Sequence, residues 1–563
     1  MNGASRWWSW CALWLATFFA FAVVAHGNLE TTDAGFTMHA ARNLWRRGDS
    51  GLLLPQQGGE LVGEIAGAHY IHTVKSSGKV GVNGVAYTWF PMGHVWLLVP
   101  FAAVGDALAA AHPEVDAAFR ERVAKGVDDA GLIGITEWRE GSPTLTQGLI
   151  ALLVPPSCAA STLLLLLLLA RTLGADRRTA AITALSILFA TQGFAFGRET
   201  LSDGPGLVCL LGSLLAVVAV HRGAGSARTS LFGGLVGGAA VLLRYQNAAL
   251  MVAIGITLLL ACWRQRRWRV LAAFTLGVLP GATLLLAVDY ARFGDPFDTG
   301  YPKVDDWLDQ PLWLGATKML FAAGRGIAWF SPLVWLAFPL ALRARTGGPW
   351  RWLGWALFLF PFGFFALARG WQGGQCWAAR YATHGLVALL VLTLPHSQPW
   401  RRWPKAWLLL VLLGLFVNVT SVVAPVRGVL QLATQAYGAS GGTAADPADP
   451  VSWQPRYSPL WMNWRYAFAS RVGGFEDELG QPSHGSAHTI EPLFGVTAQS
   501  PAQGLAPIRW EDRCGRHLWW RFWGDLLGVT SWSLLLPCVA LALLAAWFAR
   551  GLLWPPSDSS TAA

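Results

Sequence analysis

Residues 145–170 read LTQGLIALLVPPSCAASTLLLLLLLA, a run without one charged side chain. As a helix it would extend roughly 39 Å at 1.5 Å per residue, longer than the roughly 30 Å hydrocarbon core of a bilayer. Lipid suits such a run, because a helix satisfies its own backbone and shows only apolar surface to the hydrocarbon. The run stops at Arg171, and Asp176, Arg177 and Arg178 follow before the next apolar stretch begins. Apolar run, short basic loop, apolar run is the pattern of a chain that crosses a membrane repeatedly.

The pattern extends in both directions. Trp7–Ala25 forms an apolar run after Arg6; Val23 and Ala25 satisfy a signal-cleavage rule, but the many later spans favour an uncleaved first crossing. Further spans are expected at about 179–196, 204–221, 230–244, 246–262, 270–289, 327–342, 352–368, 383–395, 406–424 and 526–549. The fold class is therefore an all-α polytopic membrane protein with about twelve transmembrane helices. The run 230–262 is ambiguous, with Arg244, Gln246 and Asn247 at its centre. It reads as two short helices meeting at a polar tip; one kinked helix would change the topology after it.

Composition agrees. Hydrophobic residues make up 54% of the 563 positions and charged residues only 13%, about half the charged share of a soluble domain. A net charge of +10 does not mark a nucleic-acid binder, because the basic residues sit in short clusters between apolar runs. The loops 171–178, 221–228, 263–269, 343–351 and 395–405 carry 15 Lys or Arg and one acid, Asp176. They are assigned to the inside. The segments assigned to the outside hold 30 of the 32 acids, so polar chemistry is expected on that side. Residues 27–143, with one short apolar stretch at Val95–Val104, read as a single outer loop carrying interfacial helices. Residues 426–525 read as an outer loop or small cap, and 526–563 as a last span with an inner tail. No internal repeat is evident. Seven cysteines show no metal-ligand spacing; Cys376 and Cys514 fall in outer loops, where a disulfide between them is one option.

Three outer constellations could carry chemistry. Asp33 follows the first span and begins a helix-patterned stretch with Phe36, Ala40 and Leu44 on one face; its plainest role is an N-cap. Glu199 and Asp203 lie in the tight turn Gly197-Arg198-Glu199-Thr200-Leu201-Ser202-Asp203, where a local ion pair is the plain reading. Arg244, Arg325 and Arg380, the last followed by Tyr381, run against the positive-inside bias. A guanidinium suits phosphate because its planar fork donates paired hydrogen bonds; snorkelling or pairing with an outer acid is the alternative. His69 and His72, with His39 and His94, give a weaker metal reading, and Asp305, Asp306 and Asp309 read as a solvated acidic face.

The order of these features resembles the GT-C superfamily of membrane glycosyltransferases: an aspartate after the first span, a long first outer loop and an acid in the next outer turn. Tyr290-Ala291-Arg292-Phe293-Gly294-Asp295-Pro296, Thr299-Gly300-Tyr301, Gly324-Arg325-Gly326, Phe330-Ser331-Pro332 and Ala379-Arg380-Tyr381 complete it. The nearest likeness is to bacterial relatives of dolichyl-phosphate-mannose protein mannosyltransferases (family 39) and of the lipid A aminoarabinose transferase. It covers about residues 1–425, the expected catalytic module. The resemblance implies transfer of a sugar from a polyprenyl-phosphate donor to an acceptor hydroxyl on a protein, lipid or glycan. It also implies a bacterial inner membrane and a site facing the periplasm or exterior. It places Asp33 as the catalytic base, Asp203 or Glu199 as the second acid, and Arg244, Arg325, Arg380 and Tyr381 as donor contacts. Asp33 is followed by Ala34, so the common two-acid start is missing. No cofactor is required on this reading, and a divalent metal stays open. The competing readings are a transporter or a flippase of lipid-linked glycans, and a scaffold without catalysis.

Overall fold

The computed structural model describes residues 3–55, 61–63, 74, 78–124, 142–301, 308–343, 348–374, 376–426, 429–430, 433–434, 437, 448–471 and 517–553. The chain opens with α1 (Gly3–Val23) and α2 (Thr32–Arg47). Four short strands follow, β1 (Leu53–Pro55), β2 (Leu61–Gly63), β3 (Gly78–Val80) and β4 (Ala86–Thr88), then α3 (Met92–Ala111) and α4 (Pro113–Ala124). The bundle continues with α5 (Thr144–Thr172), α6 (Arg177–Phe189), a 3₁₀ turn at Gln192–Gly197, α7 (Asp203–His221), α8 (Ala227–Leu243), α9 (Asn247–Gln265) and α10 (Trp268–Phe293). Next come α11 (Leu312–Phe321), α12 (Ile327–Phe330), α13 (Val334–Arg343), α14 (Pro349–Ala366), α15 (Arg380–Ser397), α16 (Pro399–Arg402) and α17 (Pro404–Val423). The chain ends with α18 (Ala448–Trp453), α19 (Pro459–Arg471), α20 (Trp519–Leu527) and α21 (Ser531–Leu553).

Among the described residues seven helices are long and apolar enough to cross a membrane: α3, α5, α7, α9, α10, α17 and most of α21. The α8, α11 and α13 helices and Trp7–Val23 of α1 are shorter apolar helices. The chain is a polytopic α-helical membrane protein. At the ambiguous stretch the backbone breaks: Arg244 is extended, with φ −160° and ψ 114°, and α8 and α9 meet at that tip. Elsewhere the structure departs from the sequence expectation. The span expected at 179–196 stops at Phe189, the one at 327–342 is interrupted between α12 and α13 at Ser331-Pro332, and α11 was not foreseen.

α15 runs through the middle of the bundle, with every residue from Ala382 to Pro395 buried. It therefore carries Arg380, at its first position, to the end of the bundle where the site lies. Around it the spans pack closely through glycine. Gly234 and Gly238 on α8 face Gly277 and Gly281 on α10; a Cβ on Gly281 would lie 2.5 Å from the backbone of Gly238. Paired small residues four apart let two membrane helices approach backbone to backbone.

The first loop forms a layer over one end of the bundle. Gly204 and Gly197, at the start of α7 and just before it, abut Cys158 and Ala159 in the middle of α5. The part of α5 before Pro155-Pro156 therefore runs on past the start of α7, by about 20 Å at 1.5 Å per residue. α3 packs against that projecting half, sharing a core of Val95, Leu98, Ala102, Ile150, Ala151 and Val154 with Phe36 and Ala40 of α2. α3 thus has the length and composition of a span, yet it packs within this layer on the projecting half of α5. Buried charge fixes the layer. Asp106 of α3 accepts from Arg42 Nε of α2 at 2.8 Å and from Thr146 of α5 at 3.0 Å, and pairs with Arg46 at 2.8 Å. The sheet, antiparallel in the order β2-β1-β4-β3, was not anticipated; its strands have three residues each. It is tied to the end of α10 by a hydrogen bond from Val82 N to the Arg292 carbonyl at 3.0 Å.

The two chain ends close on each other. Gly27 N donates to the His517 carbonyl at 2.9 Å and Trp519 N to the Ala25 carbonyl at 3.0 Å, while α21 lies along α1. His69, His72, Asp305, Asp306 and Cys514 lie outside the described residues.

Candidate active site

α2 starts at a capped turn, but the cap is not the aspartate. Thr31 is the N-cap, and its hydroxyl accepts from Ala34 N at 3.2 Å. The capping role that sequence position suggests for Asp33 is thus already filled, and the Asp33 carboxylate points away into a cleft at the end of the bundle. The cleft lies between the layer and the starts of the spans, and Asp33, Asp203, Arg244, Arg380 and Tyr381 all line it. His94, Thr37, Tyr245 and Tyr301 complete much of its wall.

Two ion pairs organise it. Arg380 Nη2 donates to Asp33 Oδ2 at 3.3 Å, and Arg244 pairs with Asp203. The two carboxylates differ in access: the Asp33 side chain is 37% exposed, that of Asp203 2%. Asp33 can therefore meet a ligand from the cleft, whereas Asp203 mainly holds Arg244. Tyr381 lies against both arginines, with guanidinium carbons 5.6 Å (Arg244) and 5.2 Å (Arg380) from its ring centroid. Such placement over an aromatic face favours the cation. Tyr381 is itself stacked on Phe365 at 4.0 Å. Tyr301, also in the lining, stacks on Trp89 at 5.4 Å, and its ring meets Tyr245 edge-on at 6.1 Å.

One turn beyond Arg380, His384 secures the buried half of the site. Its Nε2 bonds the Asp203 carbonyl at 2.8 Å and its Nδ1 bonds Asn247 Oδ1 at 2.9 Å; Asn247 Nδ2 donates to the Ala240 carbonyl at 2.9 Å. α15 thus holds Asp33 through one side chain and the Asp203 backbone and α9 through the next on the same face.

Glu199 and Arg325 do not line the cleft. Glu199 Oε1 accepts from Trp377 N at 2.9 Å, and burial pushes its pKa up to about 8. Beside it lies a second polar knot. Arg198 donates to the Val24 and Ser421 carbonyls at 2.7 Å each, and His26 pairs with Glu30 at 2.8 Å. Burial alone would raise the Glu30 pKa, but His26 and Arg198 bring it down to about 2. Arg325 donates to the carbonyls of Gln372, at 2.7 Å, and Gly374, holding the loop that leads to Arg380. Of the histidines read as a weak metal set, His39 Nε2 is bonded to Ser142 Oγ at 2.6 Å, and His94 faces the cleft. Residues that sequence reasoning did not assign to the site are His94, Tyr245, Tyr301 and His384. Tyr301 was visible only as part of the motif Thr299-Gly300-Tyr301 and His94 only among the histidines read as a weak metal set; His384 lies four residues after Arg380, a spacing that puts both on one helix face.

No family model and no curated protein matches the sequence. Among solved structures, the chain is similar to ArnT from Cupriavidus metallidurans bound to undecaprenyl phosphate. The identity is 14% and the TM-score 0.45, over 97% of this chain and 76% of that one. It is also similar to the oligosaccharyltransferase AglB from Archaeoglobus fulgidus, in complex with an inhibitory peptide and a dolichol-phosphate. There the identity is 12% and the TM-score 0.39, over 89% of this chain and 65% of that one. Both TM-scores fall below 0.5, and nothing is assigned to this chain from them.

Proposed function

We propose that the chain is a membrane glycosyltransferase of the GT-C type, moving a sugar from a polyprenyl-phosphate donor to an acceptor hydroxyl at the cleft. The observation that carries this reading is the convergence, on one cleft at the end of a membrane bundle, of an accessible carboxylate and two arginines. Asp33 comes from α2, Arg244 from the tip between α8 and α9, and Arg380 from α15. The motif order in the sequence supports the same reading.

The chemistry follows from charge. Asp33 takes the proton of the acceptor hydroxyl as general base. The acceptor oxygen forms a bond to the anomeric carbon while the bond from that carbon to the phosphate oxygen breaks, and the electron pair leaves with the lipid phosphate. The leaving group goes from one negative charge to two, and Arg244 and Arg380 stabilise the added charge. A single displacement inverts the anomeric centre. Asp203 keeps Arg244 in place, and Tyr381 keeps both guanidiniums on one side of the cleft. Glu199 and Arg325 shape the loops behind it. A site of this kind faces the periplasm or exterior of a bacterial inner membrane, where a lipid-borne donor meets a surface acceptor.

The test is transfer of labelled sugar by the purified protein from a panel of undecaprenyl-phosphate hexoses and pentoses. Wild type should transfer from at least one of them. Asp33→Asn, which keeps the shape and the Arg380 contact, should lower kcat at least 100-fold, the lower range of general-base effects, with the melting temperature unchanged. Full activity in that variant would remove Asp33 from the chemistry, and no transfer from any donor would remove the function.

A further inference from the structure

His94 stands in the first turn of α3, after Pro91 at its N-cap. It is 2% exposed, it lines the cleft beside Asp33, Thr37 and Asp203, and its Nε2 has no hydrogen-bond partner among the described residues. A buried polar atom without a partner is costly, and native structures rarely keep one without a use. Its position is enforced: a Cβ on Gly93 would lie 2.5 Å from the Leu242 backbone, so the glycine lets α3 press its start against the end of α8. That contact seats His94 beside the tip that carries Arg244.

We propose that His94 binds a hydroxyl group of the substrate held in the cleft, on the sugar ring of the donor or on the acceptor. The inference rests on the glycosyltransferase reading. The chemistry of the site points to a hydroxyl. The groups suited to phosphate are the two arginines, which already share Tyr381. An imidazole nitrogen that offers one hydrogen or one lone pair suits a hydroxyl, which can both accept and donate. The neighbours of His94 within the cleft, Asp33 and Thr37 of α2, can bond other hydroxyls of the same ligand. His94 thereby adds recognition from the start of α3.

The experiment uses the full chain and the donor that supports transfer in the assay above, with a set of its monodeoxy analogues and an acceptor titration. His94→Ala should lower kcat/KM about tenfold, the loss of roughly one hydrogen bond. If the contact is to the donor, wild type loses that factor with one deoxy analogue and His94→Ala loses nothing further with it. If the contact is to the acceptor, the loss sits in the acceptor KM and every deoxy donor costs variant and wild type alike. His94→Gln, which keeps a donor and an acceptor, should recover part of the activity in either case. Binding of undecaprenyl phosphate without sugar should be the same in wild type and both variants. Unchanged kinetics in His94→Ala would overturn the proposal. So would an equal loss across all analogues and both substrates with undecaprenyl phosphate binding also weakened, the pattern of a purely structural role. Wild type that binds a sugar-bearing lipid but transfers nothing would overturn the function; the same variants, read by binding of that lipid, its deoxy analogues and the acceptor, would still decide His94.

Discussion

At Glu199 the fold holds a carboxyl where water does not reach, and pH gives a handle on it. Burial raises its pKa from 4.5 to about 8. The sign follows from proton binding. Between about pH 4.5 and 8 the folded protein keeps this proton while the unfolded chain releases it, so the group costs stability progressively as pH rises through that window. Glu199→Gln keeps an amide oxygen for the Trp377 N–H and has no proton to lose. The variant should melt higher than wild type at pH 8 and at the same temperature at pH 4, by thermal unfolding in detergent. A variant that melts lower at pH 8 would show that the charged carboxylate is the stabilising form. The resemblance left Asp203 as the second acid with Glu199 as its rival, four residues apart in one turn. What separates them is their partners, the Trp377 backbone for one and Arg244 for the other, and both partners are distant in the chain. The same limit hid His94, because spacing does not report an unpaired nitrogen. Asp33, Arg244 and Arg380 were legible as polar groups at the ends of apolar runs. The capping of α2 by Thr31 in place of Asp33 shows how a neighbouring hydroxyl can free a carboxylate for other work.

Among the elements, α8 and α10 meet closely along four glycines, and the end of α8 delivers Arg244. Gly281 meets the Gly238 backbone so closely that no side chain fits without separating the helices. Gly281→Leu should destabilise the protein by about 1–3 kcal/mol, the usual range for overpacking, and should lower transfer because the Arg244 tip moves with α8. Gly255→Ala on α9 is the control: nothing lies within 4 Å of the added Cβ, so melting temperature and activity should hold. Equal effects from the two substitutions would mean that the glycine stripe is not what brings the helices together. The helices themselves were mostly readable from hydropathy, since runs such as 145–170 leave little choice of solvent. The failures have specific causes. Three-residue strands are too short to show an alternating pattern. Ser331-Pro332 ends a helix inside an apolar run because the residue before proline avoids helical angles. Hydropathy also cannot tell a span from an apolar helix packed in the outlying layer, which is the case of α3.

Over the whole molecule, the short basic loops and the site fall at opposite ends. Asp176 and Arg401, in two of the loops assigned to the inside, pair at 3.2 Å, and the Arg222 and Arg267 guanidiniums lie at that same end, bonding the Leu173 and Val220 carbonyls. Asp33, Asp203, Arg244 and Arg380 gather at the other end, under the layer formed by α2, α3 and the projecting half of α5. Short loops rich in Lys and Arg stay on the cytoplasmic side during insertion, whereas acids have little influence. The three arginines at that end do not contradict the rule, because each is bound within the fold: Arg244 and Arg380 to carboxylates in the cleft, Arg325 to loop carbonyls behind it. The bias in the short loops predicts the orientation that follows. A topology reporter fused after Ala175, between α5 and α6, should read inside, and one fused after Gly300, beside the cleft residue Tyr301, should read outside. The reverse result would turn the cleft toward the cytoplasm, where a different donor would have to reach it. Two readings on the same side would require an additional or missing crossing between the two points, which would sit where the paired helices α8 and α9 meet at Arg244.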